Sequence, residues 1–427
     1  LKKGFLYKIH YFFGKVFKTF LKKGFLEKMT KGKIVGLEGS FAVAEAVRMA
    51  NADVIAAYPI TPQTHIVERL SEMVADGDLD ANFICVESEH SAMSACVGAS
   101  AAGARVFTCS AGQGLELMHE VLYIPSSMRL PVVAVAANRA LSAPLSVWCD
   151  HSDVMALRDI SWIQIFAENN QQAFDLTTCA YKIAEDRDVL FPTMVHIDGF
   201  YLSHVIEDMV LPEEEVVAGF IPDYEHPFVL DPDKPVSMGC YGPPFIYPET
   251  KKAQDVAFDN TRPKIQAIWD EFSEIFGRHY SPVESYKMDG ARIALLTMGS
   301  CSETAMLAVD ELREAGIDVG LIRLRLWRPF PFTELREAVK ELDLLVVLDR
   351  AISFGMGGPV CSELKSALYN KREDLKIVGF IGGLGGRDIQ ISEFKYMVMQ
   401  AQEKVKAIER GEEVETEIIG VREGGGR

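Results

Sequence analysis

Residues 54–74 read VIAAYPITPQTHIVERLSEMV. Val54–Ala57 is an unbroken apolar run, Tyr58–Pro62 is a turn braced by two prolines, and Pro62–Val74 repeats apolar side chains at helical spacing. A strand with no polar alternation is buried on both faces. Followed by a turn and an amphipathic helix, it is the first half of a βαβ unit. The same pattern extends outward. Apolar β-rich runs at Phe83–Val86, Val106–Cys109, Val132–Ala136, Ile163–Phe166 and Thr193–Ile197 alternate with helix-period stretches at Ser40–Ala50, Ser91–Ala102, Leu115–Leu122 and Gln171–Glu185. This predicts an α/β fold with a parallel sheet covered on both faces, over residues 29–205.

Residues 206–290 differ. They hold Pro212, Pro222, Pro227, Pro232, Pro235, Pro243, Pro244 and Pro248, an acidic run at Glu213–Glu215 and one clear helix at Ile265–Phe276. So long a stretch is not a plain loop; it reads as an ordered linker wrapping along the first domain. Alternation resumes over 291–411. Strands are expected at Ile293–Thr297, Val319–Leu324, Leu344–Leu348 and Ile377–Ile381, and helices at Glu303–Ala315, Thr333–Leu342, Val360–Tyr369 and Ser392–Ile408. This is a second, smaller α/β domain. Residues 412–427 form a polar tail, read as an arm or a disordered end.

The chain has 427 residues, 48% hydrophobic and 25% charged, which excludes a disordered or collagen-like chain. A net charge of -17 argues against nonspecific binding to nucleic acid. The charge is uneven. Residues 1–28 carry eight Lys against Glu27 alone, so this segment is +7 and the rest is -24. The segment reads as a membrane-surface helix, a targeting peptide, or an upstream reading-frame or expression artefact preceding Met29. It has no uncharged run long enough to span a bilayer. The eight Cys, at 85, 96, 109, 149, 179, 240, 301 and 361, have no zinc or iron–sulfur spacing. They read as reduced thiols of a cytoplasmic protein.

Several motifs follow predicted strands, where α/β sheets place their ligands. Thr61 ends the proline-braced turn; it is either an N-cap with Pro62 at the first helical position or a group presented to a ligand. Glu87-Ser88-Glu89-His90 opens a helix, so one acid answers the helix dipole, and two acids with a His also suit acid–base chemistry. Ser110-Ala111-Gly112-Gln113-Gly114 permits close backbone approach but lacks the third Gly of a dinucleotide fingerprint. Arg139 follows the next strand, either as a carboxylate clamp or as an ordinary ion pair. Asp150-His151-Ser152-Asp153 stays undecided between a cap and a site. Asp198-Gly199 reads as a turn.

Taken in order, YPITPQT, ESEHSAMSACVGASAAGARVFT, SAGQGLELMHE and SVWCDHSDVMALRD resemble the α subunits of the multi-subunit 2-oxoacid:ferredoxin oxidoreductases, the pyruvate:ferredoxin group above all. LRLWRPFP and GGLGGRDI fit less distinctively. The resemblance covers about residues 33–410. It implies a pyrimidine-binding domain of the thiamine-diphosphate fold followed by a domain like the transketolase C-terminal one. It further implies thiamine diphosphate shared with a partner β subunit that carries Mg2+ and the diphosphate site. A ferredoxin-like δ subunit with iron–sulfur clusters and a γ subunit acting with coenzyme A are implied as well.

By the same resemblance, Glu89 contacts the aminopyrimidine ring as the catalytic acid, with Tyr58 and Pro59 beside the cofactor. Thr61 and Arg139 hold the substrate carboxylate or oxo group. The implied reaction converts pyruvate, coenzyme A and oxidised ferredoxin to acetyl-CoA, carbon dioxide and reduced ferredoxin, reversibly. Alternatives are 2-oxoglutarate, branched-chain oxoacids or oxalate as substrate, a lipoamide- or sugar-coupled thiamine component, or a non-catalytic scaffold subunit. Trp148 reads as a core or interface residue rather than a substrate contact.

Overall fold

The computed structural model describes residues 32–422. The basic leader at 1–28 and the last residues of the polar tail lie outside the described residues. In chain order the first half comprises β1 (Gly32–Glu38), α1 (Gly39–Met49), β2 (Val54–Ala57), α2 (Thr64–Asp76), β3 (Asn82–Cys85), α3 (Glu89–Ala101), β4 (Val106–Ser110), α4 (Gln113–Met128), β5 (Val133–Asn138), α5 (Ser152–Ala156), β6 (Ile163–Phe166), α6 (Asn170–Glu185), β7 (Thr193–Asp198) and β8 (Ile206–Pro212). Three helices follow, α7 (Glu214–Phe220), α8 (Tyr247–Asp259) and α9 (Arg262–Phe276). The second half comprises β9 (Val283–Tyr286), β10 (Ile293–Thr297), α10 (Cys301–Glu314), β11 (Val319–Leu324), β12 (Leu326–Arg328), α11 (Phe332–Ala338), β13 (Leu344–Asp349), α12 (Pro359–Leu368), β14 (Lys376–Ile381), α13 (Ile391–Glu409) and β15 (Glu417–Ile418).

The larger sheet runs β12-β6-β7-β5-β4-β2-β3. Its strands are parallel except β12, which is antiparallel to β6. Alternate side chains of each strand enter opposite cores, as the pleat requires. Phe107, Val133, Val135, Val195 and Ile197 meet α1, α2, α6 and α9 on one face. Val106, Val132, Ala134 and Met194 meet α3 and α4 on the other. Both faces are covered over the interior strands, which is why their sequences show no polar alternation, while the edge strand β3 leaves Asn82, Ile84 and Cys85 exposed.

The smaller sheet runs β15-β14-β13-β10-β11-β9, with β9 antiparallel at one edge. Helices α10 and α13 cover one face and α11 and α12 the other.

Residues 206–290 carry more regular structure than their prolines suggest. β8 pairs with β1 as a two-stranded antiparallel ribbon. Phe220, Trp269, Phe272 and Phe276 of α7 and α9 are buried in the same core as α1 and α6. Helix α8 buries no side chain, so it carried no periodic apolar signal. The tail is ordered in part: Glu417 and Ile418 extend the smaller sheet beside β14, and Ile419 is buried against it.

The LRLWRPFP segment, expected within the second domain, crosses between the two. β11 belongs to the smaller sheet, yet β12, one residue later, closes the edge of the larger. Arg325 between them is 1% exposed; it donates to Gln172 Oε1 at 2.5 Å and Glu284 Oε1 at 2.8 Å, and its carbonyl accepts from Phe166 N at 2.8 Å. Trp327 and Phe330 pack with Val154, Met155 and Phe166 in one core shared by the two halves.

A second tie is polar. Asp198, at the end of β7, accepts from His151 Nε2 at 2.9 Å, Arg350 Nη1 at 2.6 Å and Ser300 N at 2.9 Å. Burial alone would raise the Asp198 carboxyl, but Arg350 and His151 outweigh it and hold it below the usual range. The turn read at Asp198-Gly199 is therefore also the hub that joins the halves.

Candidate active site at the switch point of the larger sheet

β2 and β4 are hydrogen-bonded neighbours, yet the chain leaves β2 toward β3 on one side and β4 toward β5 on the other. Loops diverging at such a point open a crevice at the carboxyl ends of the strands. Thr61, Gly112 and Arg139 stand on loops at that end, and Glu89 opens the helix that follows β3 there.

The turn Tyr58–Pro62 is held by Gln63, whose Nε2 donates to Tyr58 O at 3.0 Å and to Cys109 O of β4 at 2.9 Å. Thr61 does not cap α2. Gln63 N bonds Ile60 O at 2.8 Å, so the turn continues past Pro62 and the helix begins only at Thr64. Tyr58, Pro59 and Thr61 are exposed at the rim.

Glu89 is the first residue of α3. Ser88 caps that helix through Oγ, which accepts from Ser91 N at 3.3 Å. The acid therefore sits in the positive field of the helix start, but it points into the crevice and is only 5% exposed. A Cβ on Gly114 would lie 2.4 Å from Glu89 Oε1 and 2.4 Å from Ser110 Oγ. The glycine leaves room for the carboxylate. Ser91 Oγ donates to Glu87 instead at 2.7 Å, and among the described residues nothing donates to the Glu89 carboxylate.

Arg139, 6% exposed, makes no salt bridge among the described residues, so the ion-pair reading does not describe it. Its side chain lies across Gly112, where a Cβ would be 2.5 Å from Nε. Nη1 donates to Thr61 O at 2.7 Å and Nη2 to Gln113 Oε1 at 3.1 Å, while Nε is buried without a partner. Burial lowers its pKa, opposed by the charges of Asp153 and Glu89.

The DHSD segment divides. Asp150 accepts from Ser152 N at 2.9 Å and from Gly385 N of the second half at 3.0 Å. His151 joins Asp198. Asp153 reaches under the crevice loops, and burial pushes its carboxyl up to about 7 against the pull of its hydrogen bonds. Gln63 has no role assigned from sequence, while Gln113 and Asp153 stand out there only as members of the SAGQG and DHSD segments, the latter undecided between a cap and a site. Trp148 packs on Phe200 at 4.5 Å and closes against Gly386, an interface position.

Thiamine diphosphate fits this half-site by chemistry. A buried carboxylate with free acceptor capacity faces a crevice whose Gly112 and Gly114 admit no side chain. No helix among the described residues is long and apolar enough to cross a membrane.

Known families and proteins match the chain over most of its length. Residues 45–269 match the family described as pyruvate flavodoxin/ferredoxin oxidoreductase, thiamine diP-bdg, and residues 291–394 match pyruvate:ferredoxin oxidoreductase core domain II. The chain is 47% identical to a pyruvate synthase subunit PorA of Methanocaldococcus jannaschii, over 93% of this chain and 100% of that one. It is 46% identical to the Thermotoga maritima PorA over 83% of this chain and 91% of that one. It is 41% identical to the ketoisovalerate oxidoreductase subunit VorA of Pyrococcus horikoshii, over 88% and 94%.

Among solved structures, a 2-oxoglutarate:ferredoxin oxidoreductase from Magnetococcus marinus shares the fold at TM-score 0.65 and 18% identity. The match covers 88% of this chain and 66% of that longer one. A split-gene transketolase shares it at TM-score 0.52 and 12% identity, covering 86% and 99%. The fold is thus α/β, a thiamine-diphosphate-type parallel sheet followed by a transketolase-like second unit, and the chain belongs to the pyruvate:ferredoxin oxidoreductase family as a PorA-type subunit.

Proposed function

We propose that this chain acts as the α subunit of a pyruvate:ferredoxin oxidoreductase, contributing half of the catalytic crevice. The reaction joins the acetyl part of pyruvate to coenzyme A, releases carbon dioxide and passes two electrons to ferredoxin. The observation that carries the reading is the buried, unpartnered Glu89 carboxylate beside Arg139 at the switch point.

Thiamine diphosphate, when bound, supplies the acidic carbon and takes up the electron pair released on decarboxylation. Glu89 holds a proton at its carboxylate for the aminopyrimidine ring nitrogen, and the missing side chain at Gly114 leaves the room that carboxylate occupies. Arg139 presents a positive charge to the substrate carboxylate, with Nε as its unused donor. The Thr61 hydroxyl, at the exposed rim, donates to the carboxylate or the oxo oxygen. Tyr58 and Pro59 form the rim toward the cofactor. By resemblance to the family, Mg2+ and the diphosphate contacts belong to a partner β chain, the iron–sulfur clusters to a δ chain and coenzyme A handling to a γ chain; the eight Cys here, without cluster spacing, are consistent with that division.

Pyruvate is favoured by the higher identity to PorA subunits; a branched-chain oxoacid is the second reading, supported by the 41% identity to VorA. The test is co-purification with the partner chains and viologen reduction with pyruvate, 2-oxoglutarate, 2-oxoisovalerate and oxalate, each with coenzyme A. Activity confined to an acid other than pyruvate would overturn the substrate assignment. In Glu89→Gln, exchange of the thiazolium proton should stop; normal exchange there removes the role given to Glu89.

A further inference from the structure

Asp153 is fully buried in the first turn of α5, a helix of only five residues. Four N–H donors converge on its carboxylate. Oδ2 accepts from Gly112 N and from Arg139 N, each at 3.0 Å. Oδ1 accepts from Asn138 Nδ2 at 3.0 Å and from Val154 N at 2.8 Å. An ionised carboxylate is acceptor-only and can satisfy all four. An amide at this position would turn its own N–H groups toward two of those donors.

Two of the four donors belong to the loops that build the crevice. Gly112 is the seat on which the Arg139 side chain lies, since a Cβ there would be 2.5 Å from Nε. One oxygen of Asp153 therefore fixes both the seat and the main chain of the residue resting on it. From that fixed start Arg139 reaches Thr61 O and Gln113 Oε1. Asn138, the residue before Arg139, is held by the other oxygen. Gly112 also begins the turn into α4 that brings Gly114 against Glu89.

We infer that Asp153 is the positioning residue of the substrate-binding arginine: its carboxylate sets the placement of Arg139 for the 2-oxoacid carboxylate without touching substrate itself. This rests on the 2-oxoacid reading of the site. A merely structural role would lower stability and leave substrate affinity alone. A positioning role weakens the clamp in a complex that remains folded, because a displaced arginine forfeits part of a charge-assisted hydrogen bond.

The experiment compares wild type, Asp153→Asn and Asp153→Glu in the co-purified complex. Asp349→Asn serves as the control: Asp349 is a buried carboxylate that accepts from Val360 N and Cys361 N in the second half. Three quantities are read: kcat and KM for pyruvate, the Kd of oxamate (an unreactive pyruvate isostere), and exchange of the thiazolium proton without substrate. Asp153→Asn should raise the pyruvate KM and the oxamate Kd by about tenfold or more, with exchange within about threefold of wild type. Asp153→Glu keeps the charge but moves the acceptor, and should show the same rise; it also stands in if the Asn variant fails to fold. Asp349→Asn should lower the melting temperature and leave KM unchanged. Unchanged KM and Kd in a folded Asp153 variant would overturn the inference, as would a fall in kcat and exchange with KM unchanged. A wild-type complex that turns over no 2-oxoacid would defeat the functional reading itself and the Asp153 role with it.

Discussion

Arg139 donates from Nη1 to the main-chain carbonyl of Thr61 at 2.7 Å. The two residues therefore move as a unit across the switch point, and the Thr61 side chain is aimed by a bond made to its backbone. Arg139→Ala removes both the positive charge and this strut. Pyruvate kcat/KM should fall by about 1.5–3 kcal/mol in transition-state terms, the scale of one charge-assisted hydrogen bond. Saturation kinetics of viologen reduction measure it, and most of the loss should appear in KM.

Gly114→Ala tests the other wall. The added methyl would sit 2.4 Å from Glu89 Oε1, so the carboxylate must shift from the position proposed for its contact with the aminopyrimidine ring. Thiazolium proton exchange should drop by about 100-fold, the usual worth of a positioned acid–base group, while the helical circular dichroism signal is kept. Exchange at the wild-type rate would show that the Glu89 carboxylate tolerates displacement.

Asp198→Asn should loosen the joint between the halves. Removing one partner of a buried charge pair leaves Arg350 uncompensated and costs about 3–5 kcal/mol. Because the folded carboxyl of Asp198 is held below its unfolded value, its contribution is fully present above the unfolded pKa and is lost as pH falls toward the folded one. The stability gap between wild type and variant should thus be constant near neutrality and narrow below about pH 4. Thermal or urea unfolding across pH 3–8 reads it.

Trp327→Ala hollows the core that both halves share. Trp327 is fully buried, edge-on to Phe330 at 5.6 Å. A loss of about 3–5 kcal/mol is expected, the range for deleting a large buried aromatic. Both halves should lose protection together in hydrogen exchange. Loss confined to the smaller sheet would mean that this core does not couple them.

What could be read from residues alone followed burial. Strands such as Val133–Asn138 are buried on both faces and announced themselves as apolar runs. The β1–β8 ribbon is half exposed and its alternation is broken, and β12 has only three residues. Neither carries a periodic signal. At the site, the sequence order already puts Glu89 and Arg139 after successive strands, and the structure places them at one end of the sheet. Asp153 stands out only within the DHSD segment and its role stays open there, because its partners are main-chain N–H groups of Gly112 and Arg139, far off in sequence and silent in composition. Thr61 looked like a helix cap because Pro62 suits the first helical position, and only the Ile60–Gln63 turn reveals otherwise.

The ten residues Val319–Arg328 serve the smaller sheet with their first six and the larger with their last three. This stitch limits how the gene can be divided. A polypeptide ended in the connector before β9 would leave the backbone of β6 unpaired along a sheet margin, an invitation to self-association. The remaining fragment would carry an orphaned three-residue strand and a bare tryptophan. A seam after Arg328 is no better, because it parts β10 from its neighbour β13 within the smaller sheet, so the halves are best expressed or exchanged together.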